Sequence, residues 1–231
     1  MLKLIKTSVI GPGHIVDDLP NQDAVGHYGD KHNWAIIVCD GMGSRPLAHV
    51  GARTAIISIK NVLRNSLFDA TAKSIISGLY QHWLNSLKTM KVTPNDAVTT
   101  VLIAWGDHQG NYRTFQLGDG IICTPSKVIT PTINDEFSNV TTGLGLSKKF
   151  SDWSISEGIL SDEDNSLLLV SDGISEDIIE HSSFTQALME YSKNKSSRRI
   201  KKHLKQMLIN WPTPNHTDDK SLTMVIYNDK K

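Results

Sequence analysis

Three aspartate–glycine pairs, Asp40-Gly41, Asp119-Gly120 and Asp172-Gly173, follow apolar runs at residues 34–39, 112–117 and 167–170. Side chains at the ends of buried strands are held rigidly, and carboxylates gathered in this way suit hard divalent cations, which take oxygen ligands. Asp23 near the N-terminus and the Asp218-Asp219 pair near the C-terminus supply further acids. A cluster of hard cations held by such a set suits the hydrolysis of phosphate esters. A competing reading treats each pair as a tight turn, because Asp-Gly is a favoured hairpin dipeptide. Asp119-Gly120, with strand on both sides, fits that reading best. Asp40 and Asp172 fit it less well, since helical patterns follow them and no partner strand does.

The elements that must carry these acids alternate in type. Residues 2–10 read as a strand ended by Gly11-Pro-Gly13, followed by a short strand at 24–28 and a central strand at 34–39. Leu47, Val50, Thr54 and Ile57 then recur at helical spacing, and Ile75, Leu79, Trp83 and Leu87 mark a second helix. Residues 98–105 and 112–117 form a hairpin around Gly110-Asn111, with short strands at 120–123 and 128–129. The stretch 146–165 is polar and irregular and reads as a mobile flap. After the strand at 167–170 come a short helix and two longer patterns, Phe184-Ala187-Leu188-Tyr191 and Ile200-Leu204-Met207-Leu208-Trp211. Residues 221–227 read as the last strand. Strands in runs and helices in pairs predict an α+β fold, largely antiparallel with helices packed outside. No Gly-rich phosphate loop is present.

Composition narrows the class further. The 231 residues, 39% of them apolar, suffice for one domain spanning 1–231 with a core that needs no disulfides. Lys+Arg and Asp+Glu are equal at 24 each, so no global field argues for nucleic acid or an anionic membrane. Cys39 and Cys123 lie in apolar strands and read as small core residues in a reducing compartment. The first ten residues are interrupted by lysine, and no apolar stretch is long enough to cross a bilayer. A cytoplasmic, monomeric protein is expected.

Six motifs now stand in order: Asn21-Gln-Asp-Ala24, Val38-Cys-Asp-Gly-Met-Gly-Ser44, Leu117-Gly-Asp-Gly120, Thr142-Gly-Leu-Gly145, Leu169-Val-Ser-Asp-Gly173 and Thr217-Asp-Asp-Lys-Ser221. Together they resemble the bacterial branch of the metal-dependent type 2C Ser/Thr protein phosphatases, over nearly the whole chain. The resemblance implies a four-layer α-β-β-α sandwich of two mainly antiparallel sheets, with the metal centre in a cleft at one end. It implies that Asp40 bridges two Mn2+ or Mg2+ ions, that the Gly41 carbonyl ligates one, and that Asp172 and Asp218 complete the other. Asp23 matches the acid of the first motif, acting directly or through water. Asp119 matches the acid of a third, weaker ion, and Glu176 falls where some relatives place another. The implied reaction is attack on phosphoserine or phosphothreonine by a metal-bridging water, with no covalent intermediate, on products of a partner Ser/Thr kinase.

Three departures from the family pattern stand out. Met42 occupies the place where some relatives carry a histidine proposed as general acid. No arginine precedes the first-motif acid to grip the substrate phosphate, and His14 is the nearest candidate for that role. Gln22 replaces the glutamate of many relatives. Adjacent residues on an extended segment point opposite ways, so one of Asp218 and Asp219 faces the metals, and Asp218 is the favoured choice. The basic run 193–202 reads as a solvated helix face. Two alternatives keep the fold: a weak or inactive type 2C-like binding module, and a phosphatase of a small phosphorylated metabolite.

Overall fold

The apolar runs that end in aspartate become central strands of two stacked sheets. One sheet holds β1 (Leu2–Val9), β9 (Lys220–Tyr227), β8 (Ser166–Val170) and β6 (Ile121–Cys123), in that spatial order. The other holds β2 (Ala24–Gly29), β3 (Asn33–Cys39), β4 (Val101–Asp107), β5 (Asn111–Leu117) and β7 (Ser154–Ile159). Every named pairing is antiparallel. The computed structural model describes residues 2–130, 142–162, 164–213 and 217–227.

Alternation of side chains along a strand explains why the central strands are apolar throughout. In β3, Trp34, Ile36 and Val38 enter the layer between the sheets, where they meet Leu167 and Leu169 of β8. Ala35, Ile37 and Cys39 face the other way, toward α2 (Ala48–Arg64) and α3 (Ala72–Thr89). On the far side, Leu168 and Val170 of β8 pack against α5 (His181–Ser192) and α6 (Ser197–Ile209). The result is four layers, α-β-β-α, each sheet covered on both faces. Truncating a side chain such as Leu204, on the buried face of α6, is expected to cost about 2–5 kcal/mol.

Two short α-helices, α1 (Pro12–Val16) and α4 (Asp172–Ser175), and two 3-10 turns, Pro94–Asp96 and Phe150–Asp152, complete the described elements. Both cysteines are free and buried. Among the described residues, no helix is long and apolar enough to cross a membrane.

The structure corrects three expectations. Residues 154–159, inside the stretch read as a mobile flap, form the edge strand β7, in register with β5 from Asn111↔Ile159 to Gln116↔Ser154. Their polar character reflects the edge position, and Arg113 Nε reaches Glu157 across the pair at 3.0 Å. The buried face of α2 runs through Ala48, Ala52, Ala55, Ile59 and Leu63, whereas Ile57, on the expected stripe, is 63% exposed. Close packing selects small residues there: a Cβ on Gly51 would lie 1.8 Å from the Ala97 carbonyl oxygen. Lastly, Pro12 opens a helical turn, α1, where Gly-Pro-Gly read as a plain turn.

Candidate metal centre

Antiparallel pairing brings the acids to one end of the sandwich. Ala24 of β2 opposes Cys39 of β3, so Asp23 and Asp40, one residue beyond each, emerge together. Val170 of β8 opposes Leu222 of β9, so Asp172 and Asp218 leave that sheet at neighbouring points. Val101 opposes Leu117, which sends the β5–β6 turn carrying Asp119 to the same rim. A cleft of about 310 Å³ opens there, its walls including Asp40, Met42, Asp119, Thr142, Asp172 and Asp218.

The backbone at Asp40 is fixed before its carboxylate does anything. Its carbonyl accepts from Thr100 N at 2.7 Å and from Thr99 Oγ1 at 2.8 Å. Its amide donates to Thr100 Oγ1 at 3.0 Å. Gly41, next along, bridges antiparallel to Thr99. Asp172 begins α4 directly after Ser171, whose amide donates to the Ser221 carbonyl at 3.0 Å, locking β8 to β9 at the point of exit. Ser171 Oγ donates to Asp23 Oδ2 at 3.0 Å, tying an acid of one sheet to the other sheet.

Crowding sets the electrostatics. Burial, then the charges of Asp23 and Asp172, hold the Asp40 carboxyl well above the usual range, and a hydrogen-bonding contact with Asp172 adds to this. Burial likewise pushes Asp23 up to about 8, reinforced by Asp219 and Asp172 and opposed by the nearby hydroxyls of Ser221 and Ser171. Among the described residues, no donor reaches the buried Asp23 Oδ1 or Asp172 Oδ1. Mutually repelling carboxylates with open oxygens are the donor set that Mg2+ and Mn2+ take, so these residues fit divalent cations.

The two C-terminal acids divide. Asp218 is partly exposed in the cleft wall. Asp219, only 1% exposed, turns inward and accepts from Gly11 N at 2.7 Å and Gln22 N at 2.6 Å. His14 Nδ1 lies 2.9 Å from Asp219 Oδ2 and 3.7 Å from Asp218 Oδ1. Lys220, 2% exposed, donates from Nζ to the Asp218 carbonyl at 2.8 Å. His14 therefore borders the cluster through the C-terminal pair, outside the cleft wall that holds Asp40 and Asp119. Glu176 is exposed one residue beyond α4.

Sequence reasoning missed the supporting residues Ser171, Thr99, Thr100 and Asp219. Ser171 carried one usable signal, a hydroxyl immediately before an expected ligand. Thr99 and Thr100 carried none, since their partner lies about sixty residues away in the chain.

A four-layer sandwich with an acid cluster at one end of its sheets defines a class, and sequence comparison fixes the family. A family model described as Protein phosphatase 2C matches residues 10–209, and the chain belongs to that family. Solved structures share the fold. A bacterial serine phosphatase superposes with a TM-score of 0.74 at 14% identity, over 100% of both chains. The catalytic domain of the serine threonine protein phosphatase PstP, in complex with 2 manganese ions, gives 0.70 at 14% identity over 99% of each chain. RsbX in complex with magnesium gives 0.64 at 16% identity, over 98% of this chain and 96% of its own. No curated protein matches the chain.

Proposed function

We propose that the protein is a metal-dependent phosphatase that hydrolyses phosphoserine and phosphothreonine in proteins, the products of a Ser/Thr kinase. One observation carries this reading: Asp23, Asp40 and Asp172 crowd together, and among the described residues no donor satisfies the buried Asp23 Oδ1 or Asp172 Oδ1. Asp40, the Gly41 carbonyl, Asp172 and Asp218 would hold two ions, with Asp23 acting directly or through water and Asp119 serving a third. The manganese in PstP and the magnesium in RsbX support either metal.

Such ions, when bound, supply Lewis acidity toward the phosphoryl oxygens and a solvent nucleophile at neutral pH. The chain's own part is rigidity and exclusion. Thr99 and Thr100 fix the Asp40 backbone, and Ser171 occupies one Asp23 oxygen while no donor among the described residues reaches the other. A covalent cysteine mechanism is disfavoured, because burial pushes both thiols up and Cys39 faces the helices rather than the cleft. An inactive binding module would have no use for unsatisfied buried carboxylates, which cost stability and bind nothing.

The test is release of phosphate from phosphoserine and phosphothreonine peptides by the purified chain with Mn2+ or Mg2+. Turnover that chelation abolishes and either ion restores is expected. Metal-loaded protein inert on every phosphopeptide, yet active on a small phosphorylated metabolite, would move the assignment to that substrate class.

A further inference from the structure

We infer that the flank where β1, β2, α2 and α6 meet is a docking surface for an acidic segment of a partner protein. The inference is independent of the phosphatase reading. Charge in this chain is balanced overall but not evenly spread. Across these four elements lysine and arginine recur, and neither aspartate nor glutamate occurs once. The acids gather at the strand ends, whereas this surface lies along the side of the sandwich.

Packing brings the positive groups together. β1 and β2 are edge strands of the two sheets, and Lys6 Nζ of β1 donates across the seam to the Val25 carbonyl of β2 at 3.1 Å. Lys60 of α2 and Lys201 of α6 approach it from the two helical layers. Burial, then the charges of Lys60 and Lys201, push the Lys6 amine below its usual range, and burial with the same three lysines lowers His27 of β2. Among the described residues, no carboxylate pairs with Lys6, Lys60 or Lys201. Such like-charge crowding costs stability until an anion relieves it.

The outer faces of the helices extend the field. Arg53, Ile57, Lys60 and Arg64 fall on one stripe of α2, and Arg198, Lys201 and Lys205 recur at the same spacing, exposed, on α6. The chemistry of this surface selects its occupant. The four elements carry no Trp or Phe, and their one tyrosine, Tyr28, is buried with the Arg64 guanidinium 5.3 Å from its ring centroid. Bases therefore find no exposed ring to stack on, and a bilayer finds no aromatic anchor. Ile57, exposed between Arg53 and Lys60, offers an apolar contact that suits a peptide mixing carboxylates with apolar side chains. A long polyanion would also run toward the acid rim, which repels it.

The test is fluorescence anisotropy of a labelled peptide alternating glutamate and leucine, titrated with the intact chain with and without Mn2+. Micromolar binding is expected, equal in the two conditions and about tenfold weaker at about 300 mM than at about 50 mM salt. Lys60→Glu and Lys201→Glu, from opposite helical layers, should each weaken it about tenfold. Lys127→Glu, an exposed lysine beyond β6, should leave it within about twofold. Ile57→Ala should weaken this peptide about threefold and leave a glutamate–serine peptide unchanged. Each charge reversal also relieves repulsion at Lys6, so the thermal midpoint should hold or rise and both variants stay folded for the comparison. Binding that requires Mn2+ would place the peptide in the acid cleft, and binding indifferent to both reversals would place it elsewhere; either overturns the inference. Phosphatidylserine vesicles or duplex DNA held more tightly than the peptide, with the same dependence on Lys60 and Lys201, would give the surface to that class and overturn it too. So would a chain that binds none of these probes.

Discussion

Asp40 and Asp172 leave the ends of strands covered on both faces, whereas Asp119 stands exposed on the turn between β5 and β6. Burial disfavours the charged form of Asp40, and the charges of Asp23 and Asp172 add to the penalty. A cation placed among them removes that penalty, so folding strain becomes binding energy. Asp119 is exposed, so an ion there would compete with water on nearly equal terms. On the proposed reading, the same residue type would give tight and loose sites on one rim, according to how much solvent each keeps.

The contrast can be broken by substitution, most severely first. Asp40→Asn should lower turnover on the order of a thousandfold, the equivalent of a few kcal/mol of lost charge stabilisation. It should also raise the thermal midpoint of the metal-free chain, because one crowded charge is gone. A lowered midpoint would show that crowding there is not a penalty.

Metal addition sharpens the comparison. At a hundredfold excess over Kd, Mn2+ should stabilise the fold by about 2.7 kcal/mol, or roughly 5–10 °C in midpoint for a chain of this size. Asp40→Asn should abolish most of that shift and Asp119→Asn should preserve it, by scanning calorimetry.

pH gives a third handle, with its sign fixed by the buried acids. Asp23 and Asp40 titrate higher in the folded state than in the unfolded one, so between the two values the fold binds more protons. The penalty is absent below the unfolded carboxylate range, near pH 4, and grows as pH rises toward about 8 for Asp23. Urea midpoints of chelated protein should fall across that window, and Mn2+ should restore more stability at its upper end. A chelated protein that gains stability with rising pH would contradict the crowding.

The smallest effect belongs to Asp119→Asn. It should change metal-free stability by no more than about 0.5 kcal/mol, as exposed substitutions do. Turnover at limiting Mn2+ should drop about tenfold and recover as the ion is raised, with an unrecovered loss placing Asp119 among the tight ligands.

The architecture was legible where burial is two-sided. The runs at 34–39 and 167–170 announced central strands, and the aspartates following them announced a shared rim. Legibility failed where packing favours small or polar residues. The face of α2 built on Ala48, Ala52 and Ala55 hides behind the larger but exposed Ile57. β7 looks irregular because an edge strand half in water has no need of an apolar run. Asp219 was read only as the neighbour of a ligand, since its partners Gly11 and Gln22 lie about two hundred residues away.

The opposite facing of Asp218 and Asp219 has a consequence for how this protein tolerates change. β9 is pinned on both sides, by β1 and β8, so its phase cannot drift. Inserting one residue between Asp219 and Lys220 would turn both acids over, sending the loop clasp toward solvent and the solvent-facing acid toward the interior. Length, more than identity, is what that segment must conserve.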